Sequence, residues 1–165
     1  VIARLLEKEG VENYMILIGG EVVVKGVNQN GVCWRTGINL PEDDPDGIKN
    51  NYDEIVQLCK KGAIATSGNY RNFYIKDGKK YAHTIDPRTG YPAEQSVLSA
   101  TIVANDCMTA DAYATAFMAM GLEKARQMAD SLPEIEYYVI YADENGKHQI
   151  EYSKGMLQYL PKRKQ

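Results

Sequence analysis

The stretch DCMTADAYATAFMAMG, residues 106–121, decides the fold because it links a strand-like run to an amphipathic one. Its apolar side chains extend almost all the way round a helix, a pattern typical of a buried helix. The run SVLSATIVA (96–104) before it is typical of a strand, and LEKARQMADSL (122–132) after it is typical of an amphipathic helix. The three runs predict a buried helix between a strand and a second helix.

Outside this region the sequence consists mostly of short β-rich runs separated by turn residues. Gly19-Gly20, Asp77-Gly78 and Asn145-Gly146 are typical of hairpin turns. A short opening helix is predicted, with Ile2 and Leu5 on one face and an end at Gly10. We therefore predict an α+β fold with a largely antiparallel sheet and packed helices. The runs predicted as strands are 13–18, 21–27, 31–40, 53–59, 62–68, 71–85, 96–104 and 136–152.

Charge and cysteine content exclude some classes of protein. The formal net charge is −3 with a pI near 5.5, which argues against an electrostatic nucleic-acid binder. The three cysteines, Cys33, Cys59 and Cys107, are odd in number and form no C-x-x-C pair. This pattern indicates neither a zinc site nor a disulfide framework. No signal peptide is recognisable, and we expect the chain to be a piece of a longer protein.

Asp111 and Thr115 stand one helical turn apart in the predicted buried helix, so they share a face. One interpretation is structural: a carboxylate favours the first turn of a helix, and a threonine hydroxyl bonds to a backbone carbonyl. The other is functional, because a carboxylate and a hydroxyl suit Mg²⁺ that is shared with a phosphate ligand. The two residues alone leave both interpretations open.

Two further motifs carry polar groups. His83 precedes the stiff turn of Asp86, Arg88 and Gly90, and it is either an ordinary strand residue or a general base. The motif ATSGNY (65–70) is either an everyday turn or part of a phosphate cradle.

The order of five motifs resembles the C-terminal part of the FAD:protein FMN transferases, the ApbE-like family, from about Val1 to Leu160. Glu21 stands where that family usually has Asp. The resemblance implies an ApbE-like fold that is partial here, because family members are about twice as long and the N-terminal half of the domain is missing. Residues 1–160 are then the C-terminal part of one domain, and 161–165 form a basic tail. The motifs are LIGGEVVVKG (17–26), WRTGI (34–38), ATSGNY (65–70), HTIDPRTGYP (83–92) and MTADAYATAFMAMG (108–121).

The resemblance implies Mg²⁺-dependent transfer of FMN from FAD to a Thr or Ser hydroxyl of a target flavoprotein, with release of AMP. Asp111 and Thr115 are then metal ligands, with the Ala114 carbonyl contributing or close by. His83 resembles the base near the attacking hydroxyl, and Ile85 a backbone contact to FAD. The nucleotide-facing wall is expected to include Thr66, Ser67 and Gly68.

Two alternatives to the transferase stay open. One is a Mg²⁺-dependent FAD pyrophosphatase that gives FMN and AMP, and the other is a flavin-binding module without turnover. Family members are typically exported, often as membrane-anchored lipoproteins that face the periplasm or the cell exterior, so the resemblance also implies that location.

Overall fold

The computed structural model describes residues 1–42, 51–70, 84–93 and 96–161, and the backbone of 73–76 and 79–82. Within these residues the helices are α1 (Ile2–Lys8), α2 (Cys107–Met120) and α3 (Leu122–Ala129), with a 3₁₀ helix at Lys154–Gln158. The strands are β1 (Tyr14–Ile18), β2 (Glu21–Lys25), β3 (Trp34–Asn39), β4 (Tyr52–Leu58), β5 (Gly62–Gly68), β6 (Phe73–Lys76), β7 (Lys79–Ala82), β8 (Val97–Ala104), β9 (Glu136–Ala142) and β10 (His148–Tyr152).

Six strands form the main sheet in the order β1-β2-β5-β8-β9-β10. The pairs β3-β4 and β6-β7 form separate two-stranded ribbons. Every strand pairing among the described residues is antiparallel. The predicted α+β fold with an antiparallel sheet is therefore confirmed. The turn at Asp77-Gly78 lies outside the described residues.

Helices and a ribbon cover opposite faces of the main sheet, because side chains alternate between the two faces along each strand. On one face, Ala100 and Ile102 of β8 pack against Ala114 and Phe117 of α2. On the other face, Val103 of β8 belongs to a second buried cluster that includes residues of the β3-β4 ribbon. The ribbon residues of that cluster are Ile38, Val56 and Leu58.

Helix α2 begins and ends where the sequence predicts. Asp106 is its N-cap, and the Asp106 carboxylate accepts a hydrogen bond from the Thr109 N–H at 3.0 Å. Gly121 ends the helix with a φ of 80°, a conformation that glycine adopts without strain. The prediction that the helix is buried is only partly right. One face, with Ala110, Ala114, Phe117 and Met118, is buried, whereas the face with Met108, Asp111, Ala112 and Thr115 is exposed.

Helix α1 forms where it is predicted, but none of its residues is buried. Ile2 is 46% exposed and Leu5 is 56% exposed. Its attachment to the sheet is polar, since Glu7 accepts a hydrogen bond from the Tyr14 hydroxyl at 2.9 Å and pairs with Lys61 at 2.9 Å. The apolar face of α1 is thus left open to solvent.

A disulfide bond joins Cys33 and Cys59, with their Cα atoms 4.3 Å apart. The cysteine pattern indicates no disulfide framework, and it does not reveal this single bond. The physical reason is the strand register: Trp34 of β3 faces Leu58 of β4, so the cysteines immediately beyond them face each other. A separation of 26 residues in sequence hides this proximity. Cys107, at the start of α2, is the free cysteine.

The described helices are all too short or too polar to cross a membrane. The last residues of the predicted basic tail, 162–165, lie outside the described residues.

Candidate active site

A polar cleft of about 320 Å³ opens at the end of β5. It arises because β2 pairs with β5 only at Gly62–Ile64, while β5 continues to Gly68. The continuing part of β5 packs against α2 on one face of the sheet, and Gly37 and Asn39 of the β3-β4 ribbon line the same cleft. The cleft is lined by Gly19, Gly20, Glu21, Gly37, Asn39, Thr66, Ser67, Gly68, Tyr70, Asp111 and Thr115.

Helix α2 contributes Asp111 and Thr115 from its exposed face. The two residues lie one turn apart, so the carboxylate and the hydroxyl both reach the cleft. No hydrogen bond or ion pair joins the Asp111 carboxylate to another of the described residues. The structure thus brings together the two residues that the sequence singles out, and it leaves the carboxylate available to a ligand.

Strand β5 contributes two hydroxyl groups that point to opposite faces. The Ser67 Oγ lies 3.1 Å from the Thr115 Oγ1, on the helix face. The Thr66 Oγ1 lies 2.8 Å from the Oγ1 of buried Thr101 in β8. Alternation along the strand accounts for the difference. Ser67 is therefore the β5 residue that contacts the helix side of the cleft.

The turn between β1 and β2 closes another side of the cleft. Gly19 and Gly20 have φ values of 69° and 113°, which residues other than glycine rarely adopt. A Cβ atom on Gly19 would lie 2.9 Å from the Glu21 Oε2, so that carboxylate lies over the turn. Glu21 thus adds a second carboxylate to the cleft.

The ribbon side of the cleft is formed by Gly37 and Asn39, which share a face of β3. Asn39 is not among the site residues predicted from the sequence, and Glu21 stands out there only as a departure from the family pattern. The signal for Asn39 was its spacing of two residues from Gly37 in a motif already recognised. That spacing becomes informative only once the ribbon is known to lie over β5.

Three predicted site residues are not part of the described cleft. Ala114 is completely buried in the core between α2 and the sheet. An interior helix carbonyl such as that of Ala114 normally accepts the N–H four residues further on. Ile85 is 47% exposed, forms a bridge with Pro92 and does not line the cleft. His83 lies outside the described residues, so its role stays a prediction.

The turn after His83 is held by one ion pair. The Asp86 carboxylate accepts hydrogen bonds from the Arg88 backbone N–H at 2.9 Å, from Nε at 3.0 Å and from Nη2 at 2.6 Å. These bonds to Arg88 lower the pKa of Asp86 to about 2. The predicted turn is therefore confirmed.

Negative charge accumulates around the start of α2, at the mouth of the cleft. Burial raises the pKa of the Cys107 thiol, and the charges of Glu21, Asp106 and Asp111 raise it further. A site with this charge repels a phosphate ligand unless a cation accompanies it.

The donors in the cleft fit a hard cation such as Mg²⁺, which prefers oxygen ligands and retains water or phosphate in its shell. Among the described residues there is no group of three or more His, Cys, Asp or Glu side chains that would hold a metal by themselves. The Asp111 carboxylate and the Thr115 hydroxyl suit a metal ion whose coordination shell is completed by a phosphate ligand. They do not suit zinc, which takes nitrogen and sulfur ligands.

Comparison with known proteins finds relatives that share one name. The chain is 44% identical over 131 residues to a Vibrio cholerae serotype O1 protein named FAD:protein FMN transferase, covering 79% of this chain and 38% of that protein. It is 39% identical over 127 residues to the Escherichia coli (strain K12) protein of the same name, covering 77% of this chain and 35% of that protein. The chain thus spans little more than a third of the length of these relatives.

The fold agrees with the sequence comparison. The solved structure of the flavin transferase ApbE from Vibrio cholerae matches with a TM-score of 0.80 and 38% identity, covering 96% of this chain and 48% of that one. A family model described as the ApbE family matches residues 1–139, which include every residue that lines the cleft. The chain belongs to the ApbE family.

Proposed function

We propose that this chain forms the metal- and pyrophosphate-binding side of an enzyme that transfers FMN from FAD to a Thr or Ser hydroxyl of a target flavoprotein. The proposal is supported by relatives named FAD:protein FMN transferase. The observation that carries it is the placement of Asp111 and Thr115 in one polar cleft with the glycine turn of Gly19 and Gly20. The other product of the transfer is AMP.

Each side of the cleft has a role in this reaction. Asp111 and Thr115 would hold Mg²⁺, and the Ala114 carbonyl would be a third donor. Thr66, Ser67 and Gly68 contact the nucleotide. When bound, Mg²⁺ supplies positive charge to the pyrophosphate oxygens and so favours departure of AMP.

The transfer itself balances as one substitution at phosphorus. The acceptor hydroxyl oxygen forms a bond to the phosphorus of the FMN half, and the bond from that phosphorus to the bridging oxygen breaks. AMP leaves with the bridging oxygen. His83 takes the hydroxyl proton, because a threonine or serine hydroxyl is a poor nucleophile until that proton is removed. Ile85 contacts FAD through its backbone.

The test is flavin transfer by the complete natural polypeptide that contains this chain. It is incubated with FAD, Mg²⁺ and a flavoprotein domain that carries the acceptor threonine, with EDTA as the control. We expect flavin fluorescence on the denatured acceptor, abolished by EDTA. An acceptor without fluorescence together with free FMN and AMP would replace the proposal by the pyrophosphatase. Bound but intact FAD would replace it by the flavin-binding module.

We also propose that the protein works outside the cytoplasm, as an exported lipoprotein. The support on this chain is the Cys33–Cys59 disulfide, since disulfides persist mainly in oxidising compartments. Fractionation of cells that produce the natural protein tests this. Recovery in the reducing cytoplasm with free Cys33 and Cys59 thiols would contradict it.

A further inference from the structure

Ser67 contacts the predicted metal-binding hydroxyl directly. Its Oγ lies 3.1 Å from the Thr115 Oγ1, and both side chains line the cleft with Asp111. The family resemblance assigns Ser67 to the wall that faces the nucleotide. The observed contact adds a second, more specific role, which acts through Thr115.

A threonine in a helix has two accessible side-chain orientations, because its hydroxyl can also turn back to a carbonyl of the preceding turn. For Thr115, a hydrogen bond to Ser67 favours the orientation in which the hydroxyl faces β5. That orientation is the one observed. Ser67 is half-buried in β5, and pairing with Ala100 of β8 fixes its backbone position.

Cation binding also dictates which of the two hydroxyls donates. A hydroxyl that binds a cation uses an oxygen lone pair, so its proton has to point to another acceptor. The Ser67 Oγ is in place to accept the Thr115 proton, and the Ser67 proton is then free to be donated elsewhere in the cleft. Groups that orient metal ligands in this way commonly change metal affinity by about 10- to 100-fold when they are removed.

We propose that Ser67 is a positioning residue that fixes the Thr115 hydroxyl for cation binding. This inference rests on the metal site of the proposed function. It does not depend on whether the reaction is transfer or hydrolysis, because both need the same cation.

The experiment measures Mn²⁺ binding to the complete natural polypeptide in the presence of FAD, by electron paramagnetic resonance of the free Mn²⁺ ion. Mn²⁺ is the probe because it takes the same oxygen ligands as Mg²⁺. We expect Ser67→Ala to raise the Kd for Mn²⁺ about tenfold. Ser67→Thr retains the hydroxyl and should bind Mn²⁺ within about twofold of wild type. Ser131→Ala is the matched control, because the Ser131 hydroxyl donates to the Met128 carbonyl at the end of α3.

A second readout is the Mg²⁺ concentration that gives half-maximal activity. It should rise in Ser67→Ala by the same factor as the Kd for Mn²⁺, while the rate at saturating Mg²⁺ changes much less. A merely structural defect would lower the saturated rate and leave the Mg²⁺ dependence unchanged.

The outcomes separate the two proposals. If Asp111→Ala weakens Mn²⁺ binding but Ser67→Ala does not, the positioning role is wrong and the metal site stands. Equal weakening in Ser67→Ala and Ser67→Thr would also overturn the positioning role. If Asp111→Ala binds Mn²⁺ as wild type does, the metal site fails and the role of Ser67 fails with it. Normal Mn²⁺ behaviour without labelling of the acceptor would overturn the transferase alone.

Discussion

At the scale of single residues, the Asp111 carboxylate is the group whose loss should affect the reaction most. Removal of a group that only orients a metal ligand costs about 10- to 100-fold, so removal of a ligand itself, the role proposed for Asp111, should cost more than about 100-fold. We expect this loss of Mg²⁺-dependent activity in Asp111→Ala. The free energy of unfolding should change by less than about 0.5 kcal/mol, because the side chain is exposed.

The measurement compares initial rates and urea unfolding of Asp111→Ala with those of Asp130→Ala. Asp130 is an exposed carboxylate at the end of α3 and does not line the cleft. Full activity of Asp111→Ala would refute the metal assignment. A loss of activity in both variants would show that the effect is not specific to the carboxylate in the cleft.

Asp86 should make the folded protein sensitive to acid. Its pKa is held at about 2 by hydrogen bonds from Arg88, whereas an unfolded aspartate has a pKa of about 4. The unfolded state therefore binds more protons as the pH falls below 4. The stability that Asp86 contributes is complete above about pH 4 and is lost as the pH falls towards 2.

Urea unfolding at several values between pH 5 and pH 2 checks this. Asp86→Asn should unfold more easily than wild type at pH 5, and the difference should shrink as the pH approaches 2. A difference that stays constant over this range would show that the ion pair with Arg88 does not set the acid sensitivity.

The sequence predicts those site residues whose proximity is local. Asp111 and Thr115 are one helical turn apart, so a helix alone places them together. Asn39 and Glu21 join the cleft through strand register and the packing of the ribbon, neither of which is visible in a linear pattern. The bond between Ser67 and Thr115 joins residues separated by 48 positions, and it is missed for the same reason.

At the scale of elements, the disulfide should stabilise the β3-β4 ribbon and with it the wall that carries Gly37 and Asn39. Cross-linking two residues separated by 26 positions restricts the unfolded chain and contributes about 3 kcal/mol. We therefore expect Cys33→Ala/Cys59→Ala to lower the free energy of unfolding by about that amount. The variant should also no longer respond to a reducing agent.

Thermal unfolding with and without dithiothreitol checks this prediction, with Cys107→Ala as the control. Cys107 is the free cysteine, so its replacement should leave the response to dithiothreitol intact. An unchanged Tm of the wild type after full reduction would contradict the prediction.

The sequence predicts well those elements that have strong local signals, but it does not predict which other elements pack against them. Asp106 and Gly121 fix the ends of α2 through a side-chain cap and a positive φ, both of which belong to the local sequence. The exposed face of α2 was not predicted, because burial depends on what packs against the helix. For the same reason the sequence predicts α1 but not the exposure of Leu5.

At the scale of the whole molecule, one side of this chain has the character of a core rather than of a surface. The apolar side chains of Ile2 and Leu5 in α1, Ile18 in β1 and Met108 in α2 are all between 46% and 80% exposed. The ends of these elements lie near each other, because the charges of the Glu21 carboxylate and of the N-terminal amine both act on the pKa of the Cys107 thiol. Exposed apolar surface of this kind is typical of an interaction site.

We expect this chain, when produced by itself, to bind the apolar dye ANS, and Leu5→Glu/Ile18→Lys to reduce the fluorescence severalfold. The far-ultraviolet circular dichroism should not change, because neither side chain is buried. Leu157→Glu is the control, as an equally exposed leucine of the 3₁₀ helix. An equal reduction by the control would mean that the dye does not favour the α1 side.

The disulfide also changes how the polypeptide is connected. Residues 33–59 form a closed covalent ring, and the segment that links β3 to β4 lies inside it. A protease that cuts the chain once within this ring separates the backbone but not the molecule. The nicked protein should migrate as one species on a denaturing gel without reductant and as two fragments with it. The disulfide therefore keeps the two strands of the ribbon covalently joined after the peptide segment between them has been cut.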